Sequence, residues 1–400
     1  MTKVSNQQPD PTAEDWQSLF DDAMETEATL DHDLAIADYR AIRVGAGNQA
    51  IGRRARLHEV RLWLKLGRND DAVVAADALL EDCTTADVAS ELAEALSERA
   101  HVGYRSGDGE ALSVYARKAV EVAKTTDSID VLAHALRYLG IAHEFAGRHA
   151  EAETTYLELL ELAPEGPHLS GVCNSLGEIA RAAGRFGTAA RWYKRFHEEW
   201  RRQHGDTPNI VYLNNMGAAL VEVGQMDEGR TLLTRGIEEQ RRSGHLAMLS
   251  ETYYYRALAS LKGGRLGETA QDVVEGYLLA TELGEGEMMG LLLRLLAQVR
   301  QADTDKVAAA EVGGTATPED LLNQSIAILD EAGKPAEAAR SRWVLGRLLA
   351  GRGPAGQASG RAVLAEARTV YTHLGMRHWA DLVAVDELAL EMRQESNDGE

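Results

Sequence analysis

Between residues 136 and 164, apolar side chains recur at every third or fourth position in two consecutive stretches. This period indicates two amphipathic helices, each with one apolar face. Gly147 separates them, because glycine readily adopts the left-handed backbone that ends many helices. Pro164 closes the second helix, because proline lacks the N–H that a continuing helix requires. Neither helix can bury its apolar face alone, so the hairpin needs similar neighbours.

The same hairpin pattern recurs along the chain. Its turn glycines are separated by 40, 40, 37, 40 and 40 residues and stand at positions 67, 107, 147, 184, 224 and 264. A helical hairpin repeated at this period predicts an all-α, right-handed solenoid of roughly eight to nine antiparallel helix pairs. Alternating runs of Val, Ile and Thr are missing, so we expect essentially no β-sheet.

The remaining segments are assigned from composition and from helix start and stop signals. Thr317-Pro318-Glu319-Asp320 predicts a helix start, because it combines a capping residue, a first-turn proline and acidic side chains. The glycine-rich segment 351–360 predicts a break between two helices. The predicted organisation is a disordered N-terminus over 1–11, a divergent capping helix pair over 12–48, repeats over 49–301, an inserted loop over 302–317, degenerate repeats with a capping helix over 318–392, and a disordered tail over 393–400.

The hairpin resembles the tetratricopeptide repeat. The residues that carry the resemblance are Leu139-Gly140, Gly147, Ala152, Tyr156 and Pro164, followed in the next hairpin by Leu176-Gly177, Gly184, Ala189 and Tyr193. A period near 40 residues, longer than the usual 34, resembles the variant found in bacterial signalling regulators and kinesin light chains. The resemblance implies a curved body whose concave wall, formed by the first helix of each pair, binds a peptide or protein segment.

The position ten residues before each turn glycine is expected to face this groove. It holds Arg137, Asn174, Asn214 and Tyr254, and Arg181 stands three residues before its own turn glycine. In the family that the chain resembles, an asparagine nine residues before the turn glycine often hydrogen-bonds the backbone of an extended peptide. Asn215 occupies this place, and Ser175 and Arg256 are assigned to it in the flanking repeats.

An amide suits such a role, because it both donates and accepts hydrogen bonds. The predicted peptide- or protein-binding groove therefore contains Arg137, Asn174, Arg181, Asn214, Asn215, Tyr254 and Arg256. The alternative is that Asn214 and Asn215 are solvated polar residues on an exposed helix face.

Charge narrows the possible partners. The chain has 42 basic and 63 acidic residues, and its net charge of −21 disfavours nucleic acid and favours a partner with a basic face. Adaptation to a saline interior would produce the same excess. One stretch, Arg191 to His204, is basic and aromatic, as in a nucleic-acid patch with stacking rings. The helical spacing of its rings instead favours an amphipathic helix with a buried aromatic face.

Motifs for a phosphate loop, a zinc helix, a Cys-x-x-Cys site and a nucleophile elbow are missing from the sequence. Cys83 and Cys173 are typical of buried residues in a reducing compartment. No signal peptide or bilayer-spanning run is found. We therefore predict a cytoplasmic, non-catalytic, protein- or peptide-binding scaffold or adaptor that needs no cofactor or metal and binds neither nucleic acid nor membrane. The alternatives are a peptide-responsive signalling regulator whose solenoid changes pitch and, less favoured, a regulatory subunit of an enzyme.

Overall fold

The computed structural model describes residues 13–398, except 30, 245, 247, 303–311 and 313. The regular structure of this part of the chain is helical throughout, without a strand. The predicted N-terminal segment 1–11 and most of the predicted inserted loop lie outside the described residues. The helices are α1 (Ala13–Ala28), α2 (His32–Ala46), α3 (Ala50–Lys65), α4 (Asn69–Ala86), α5 (Ala89–Arg105), α6 (Gly109–Ala123), α7 (Ile129–Phe145), α8 (His149–Leu162), α9 (Leu169–Ala182), α10 (Phe186–His204), α11 (Ile210–Glu222), α12 (Met226–Ser243), α13 (Leu249–Lys262), α14 (Leu266–Leu283), α15 (Gly286–Ala302), α16 (Pro318–Glu331), α17 (Pro335–Ala350), α18 (Pro354–His373) and α19 (Arg377–Asp398).

The chain divides into two compact units, unit 1 up to Val172 and unit 2 from Cys173 onward, with the boundary inside α9. In unit 1, consecutive helices from α1 to α8 pack against each other, and so do α1 and α3, α3 and α5, and α5 and α7. In unit 2, the same holds from α10 to α19, with further contacts between neighbouring odd-numbered helices from α11 to α19. Within each unit, odd-numbered helices thus form one layer and even-numbered helices the other. The predicted class, an all-α solenoid of antiparallel helix pairs, is confirmed.

The six turn glycines lie where the sequence predicts them, at the corner inside each helix pair. Their φ angles range from 70° to 91°, in the left-handed region that favours glycine. At Gly147 the corner is closed by two backbone hydrogen bonds of 2.8 Å, from Gly147 N to Glu144 O and from Arg148 N to His143 O. These bonds satisfy carbonyl groups that the end of α7 would otherwise leave unpaired.

A glycine and a tyrosine interlock the two helices of a pair. A Cβ atom added at Gly140 would lie 2.3 Å from Cε1 of Tyr156, and one added at Gly177 would lie 2.3 Å from Cε1 of Tyr193. Both rings are buried, and the hydroxyl of Tyr193 donates a 2.5 Å hydrogen bond to Glu178. The glycine of the Leu-Gly pair and the aromatic residue of the repeat therefore contact each other directly.

The C-terminal repeats agree with the sequence analysis at one helix start and differ at another. α16 begins at Pro318, and Thr317 and Asp320 form the expected reciprocal cap. α18 begins at Pro354, inside the predicted break at 351–360. The reason is that glycine there permits close packing: a Cβ at Gly360 would lie 2.6 Å from the carbonyl oxygen of Gly346 on α17. α19 continues to Asp398, into the segment predicted as a disordered tail.

None of the described helices combines the length and the apolar character that a membrane crossing would need.

Candidate functional site

The odd-numbered helices of unit 2 surround a cavity of about 270 Å³, here called the inner cavity. Its wall comes from α9, α11, α13, α15 and α17, with contributions from the start of α10 and from α18 and α19. Carboxylates, guanidinium groups and aromatic rings dominate the lining, which includes Arg181, Phe186, Glu222, Glu251, Tyr254, Tyr255, Glu287, Glu337, Arg340, Tyr371 and Trp379.

Two cations hold the carboxylate of Glu222 at the end of α11. Arg340 lies 3.4 Å from one of its oxygens and Lys262 lies 2.8 Å from the other. Burial alone would raise the pKa of Glu222, but the two positive charges outweigh burial and hold this pKa below its usual value. The guanidinium of Arg340 also lies 4.8 Å from the ring centroid of Trp379 on α19. Arg340 therefore links three helices across the cavity.

Arg294 lies directly behind the wall of the inner cavity and binds two of the residues that form it. Its side chain is 2% exposed and donates to the hydroxyl of Tyr254 at 3.0 Å and to the carboxylate of Glu337 at 2.8 Å. A buried guanidinium is tolerated only when partners of this kind satisfy it. Because both partners line the cavity, Arg294 fixes the position of one ring and one carboxylate in its wall.

Arg181 is held in a similar way at the end of α9. It donates to the hydroxyl of Tyr255 at 2.6 Å and to Glu178 at 2.6 Å. Glu178 also accepts the hydrogen bond from Tyr193. The interlocking tyrosine of one repeat is thus connected to a cation in the cavity wall.

Glu251 differs from the other carboxylates of the wall. Among the described residues no cation lies within ion-pair distance of it, and its hydrogen bond comes from Asn214 Nδ2 at 3.2 Å. Burial, reinforced by the negative charges of Glu178 and Glu287, raises the pKa of Glu251, although Arg181 and Asn214 act in the opposite direction. Glu251 is therefore a carboxylate whose charge the cavity only partly compensates.

Three asparagines connect α9, α11 and α13. Asn215 Nδ2 donates to Asn174 Oδ1 at 3.0 Å, and Asn214 Nδ2 donates to Asn215 Oδ1 at 3.3 Å as well as to Glu251. Asn214 is fully buried and Asn215 is 7% exposed. They are thus members of an internal network that reaches the cavity wall, and they do not lie on a solvated helix face.

The structure brings together five of the seven predicted groove residues. Arg181 and Tyr254 line the inner cavity, and the three asparagines form the network that reaches its wall at Glu251. Arg256 is placed elsewhere: it binds Asp272 on α14 at 2.6 and 3.0 Å. The repeat register explains this difference, because the residue nine positions before Gly264 is Tyr255, which does line the cavity.

Arg137, the remaining predicted residue, belongs to unit 1. It lies on α7, where its guanidinium is 5.4 Å from the ring centroid of Tyr138.

Several residues of the inner cavity were missed from the sequence. A signal existed for Glu251, which stands one helical turn before Tyr254 and so shares its face. No comparable signal existed for Glu337, Arg340 and Trp379, because the degenerate C-terminal repeats offered no assigned turn glycine from which to count.

Both cysteines are buried and free. Burial raises the pKa of Cys83 to about 12 and that of Cys173 to about 11. Neither thiol ionises near neutral pH, so neither has the properties of a reactive nucleophile.

No protein-family model and no curated protein matches the sequence. Solved structures do share the fold. A Rap protein complexed with Competence and Sporulation Factor is 10% identical, with a TM-score of 0.55 over 86% of this chain and 98% of that chain. The apo form of RapI is 9% identical, with a TM-score of 0.56 over 86% and 98%. The apo quorum sensor NprR from B. thuringiensis is 13% identical, with a TM-score of 0.54 over 94% and 99%.

At these identities the likeness concerns the fold alone. The neighbours are helical repeat proteins of the tetratricopeptide type, and the chain has the fold of this class. The resemblance to bacterial signalling regulators, stated from the repeat pattern, is therefore confirmed at the level of fold.

Proposed function

We propose that the chain is a peptide-binding repeat scaffold and that a short peptide segment binds at the inner cavity of unit 2. The observation that carries this proposal is the convergence of side chains from six odd-numbered helices on one cavity. A peptide presents N–H donors, carbonyl acceptors and side chains together. The cavity offers a matching set: guanidinium donors at Arg181 and Arg340, a partly compensated acceptor at Glu251, and aromatic surfaces at Tyr254 and Trp379.

The size of the inner cavity limits what it holds. A volume of about 270 Å³ is at the lower end for small-molecule sites, so the cavity suits a few groups of a peptide rather than a long segment. In this proposal the cavity anchors one part of the peptide, and the surrounding odd-numbered helices contact the rest. The net charge of −21 favours a peptide or protein partner with a basic face over nucleic acid.

The likeness to a Rap protein solved with Competence and Sporulation Factor and to the quorum sensor NprR is consistent with a peptide ligand.

A second function, a peptide-responsive regulator, is favoured by the position of α19. Within unit 2, the ring of Trp379 lies 6.2 Å from that of Phe186, and a Cβ at Gly184 would lie 2.5 Å from His378. A ligand in the cavity would touch this contact, because Trp379 and Phe186 both line it. A ligand-dependent change in small-angle scattering would separate such a regulator from a rigid scaffold.

We infer that the chain acts without catalysis and without a cofactor, in the cytoplasm. The described lining of the inner cavity contains no Cys, His, Ser or Lys side chain, and its carboxylates other than Glu251 are each paired with a cation. Arg181 and Arg340 are likewise paired, with Glu178 and Glu222. Such an arrangement suits recognition by exchange of hydrogen bonds.

A peptide panel tests the proposal. Short fluorescent peptides of random sequence, with free or blocked ends, would be titrated against the full chain by fluorescence polarisation. Arg340→Gln removes a cavity cation and should weaken every captured peptide by about tenfold. Arg342→Gln is the matched control, because Arg342 lies on the same helix but pairs with Asp330. Failure of the native chain to bind any peptide, or equal losses in both variants, would refute the proposal.

A further inference from the structure

A second cavity lies in unit 2 at the corner where α10 ends, α11 begins and α12 passes. Its volume is about 460 Å³, and its described lining shares no residue with the inner cavity. We call it the corner cavity. Its lining contains His197, Arg201 and Arg235, against a single carboxylate, that of Asp206. This local excess of positive charge is unusual in a chain with a net charge of −21.

The corner cavity includes part of the basic and aromatic stretch from Arg191 to His204. Three rings of that stretch are not free to stack on bases. Tyr193 and Phe196 are buried, and Trp200 stacks on His204 at 3.8 Å between ring centroids. The amphipathic-helix interpretation therefore accounts for the rings, but it leaves the cations that line the cavity unexplained.

Two arginines converge on His197. Its ring stacks on Tyr212 at 4.0 Å, and its Nδ1 atom is buried without a hydrogen-bond partner among the described residues. Burial, followed by the positive charges of Arg201 and Arg235, lowers the pKa of His197. The lowered pKa is consistent with the geometry, in which both arginines line the same cavity as the ring.

The negative charge available to these arginines is small. Arg201 pairs with Asp206 at 3.0 Å, but the two side chains are 60% and 93% exposed, so water screens the pair strongly. No carboxylate in the described part of the chain lies within ion-pair distance of Arg235. An incoming anion would thus meet two guanidinium groups and, within the cavity lining, one weakly held carboxylate.

Asn209 supplies the observation that points most directly to a ligand. Its side chain is 3% exposed, and its Oδ1 caps α11 by accepting the N–H of Tyr212 at 2.9 Å. The Nδ2 of the same amide is buried and has no partner among the described residues, although Asn209 lines the corner cavity. A buried donor left without an acceptor is unfavourable, and native proteins normally satisfy it. The positive end of the α11 dipole adds to its attraction for an anion.

We propose that the corner cavity binds a small oxyanion, a phosphate or sulfate group, either free or as part of a small molecule. Arg201 and Arg235 bind its oxygens through paired N–H donors, which match the geometry of an oxyanion better than a lysine would. Asn209 Nδ2 donates to a remaining oxygen, and so does His197 once its ring is protonated. The apolar side chains of the lining face the part of the molecule that carries the group.

Isothermal titration of the full chain with inorganic phosphate, inorganic sulfate and glycerol 2-phosphate tests the site. Arg235→Gln should weaken all three ligands by about tenfold, because it removes one charge-assisted contact. Arg242→Gln makes the same charge change on the same helix, outside the cavity lining, and should leave affinity unchanged. Tighter binding of the ester than of inorganic phosphate identifies a small molecule as the source, and equal binding identifies the free ion.

Substitutions at Asn209 separate ligand binding from helix capping. Asn209→Asp and Asn209→Ser both keep an oxygen that can cap α11, so the thermal midpoint should change little. Asn209→Asp removes the amide donor and adds a negative charge, so it should abolish sulfate binding, whereas Asn209→Ser should weaken it. Equal sulfate affinity in the native chain, Arg235→Gln and Asn209→Asp would overturn the proposal, and so would the absence of measurable binding.

The pH dependence gives a separate test with sulfate, which stays dianionic between about pH 5 and about pH 8 while histidine titrates. The charged and titratable groups near His197 are Lys194, Glu198 and Arg201 on α10, Asp206 after α10, Tyr212 on α11, and Glu228 and Arg235 on α12. Affinity should rise as pH falls through the lowered pKa of His197, because the ring then becomes a cation. His197→Gln should flatten the curve, and an unchanged slope would contradict a role for this ring.

Discussion

The close contact between Gly177 and Tyr193 can be tested by adding a single methyl group, in the variant Gly177→Ala. In Gly177→Ala the added Cβ would lie 2.3, 2.6 and 2.9 Å from three ring atoms of Tyr193. The ring cannot retreat easily, because it is fully buried and its hydroxyl is bound to Glu178 at 2.5 Å. Ordinary carbon contacts exceed about 3.4 Å, so either the ring or the helix must move by about 1 Å.

Two effects of opposite sign determine how far Gly177→Ala changes the free energy of unfolding. Over-packing of this kind costs about 1–3 kcal/mol. Alanine in place of a helical glycine stabilises the helix by up to about 1 kcal/mol. The net expectation for Gly177→Ala is a loss of about 1–2 kcal/mol. Gly171, on the same helix, is the control, because an added Cβ there meets no atom within 4 Å. Gly171→Ala should therefore be neutral or stabilising by up to about 1 kcal/mol.

Urea denaturation followed by far-ultraviolet circular dichroism compares the two variants with the native chain. A double-mutant cycle then identifies the cause. In a Tyr193→Ala background the ring is gone, so Gly177→Ala should no longer destabilise the protein. Equal midpoints for Gly171→Ala and Gly177→Ala would refute the packing described here, and so would a penalty that persists without the tyrosine ring.

Three further predictions concern charge and the cavity network. Burial alone would raise the pKa of Glu98, but a hydrogen-bonded histidine and Arg61 outweigh burial and bring it to about 2. Its stabilising contribution should be complete above about pH 4.5 and disappear as pH falls towards 2, and acid unfolding of Glu98→Gln should lack this component. Arg294→Met leaves buried partners unsatisfied and should lower the free energy of unfolding by about 3 kcal/mol, with recovery when Glu337→Gln is added; urea titration measures both. Asn215→Ala breaks the asparagine network and should weaken peptide capture in the polarisation assay, where unchanged affinity would contradict a role for this amide.

Local rules account for most of the fold. A turn glycine, a small residue in the first helix and an aromatic residue in the second describe a contact between neighbours in sequence, so one repeat is enough to recognise it. The start of α16 was predictable for the same reason, because a cap depends on residues within one helical turn. The start of α18 was not, because Gly360 serves a contact with Gly346 and composition alone cannot distinguish packing from a linker.

The inner cavity was predictable only where the repeat register was intact. Counting back from Gly184 and Gly264 leads to Arg181 and Tyr254, both of which line it. Counting cannot reveal that Arg340 pairs with Glu222, because 118 residues separate them and the curvature of unit 2 decides whether they meet. An error of one residue also has a large effect on a helix: Arg256 binds Asp272 on α14, whereas its neighbour Tyr255 faces the cavity.

A solenoid needs only apolar contacts between adjacent repeats to be stable. Unit 2 nevertheless places Glu222, Glu251, Arg294 and Glu337 in or directly behind the wall of the inner cavity. Well-packed apolar side chains of similar volume in place of a buried ion pair are often equally or more stabilising. Stability therefore does not explain why charged residues occupy these positions. Ligand recognition does explain it, because hydrogen-bonding groups held in fixed positions disfavour any ligand that disrupts their hydrogen bonds without forming new ones. It follows that apolar replacement of the pair formed by Arg294 and Glu337 should leave the fold intact while removing the selectivity of the cavity for peptides.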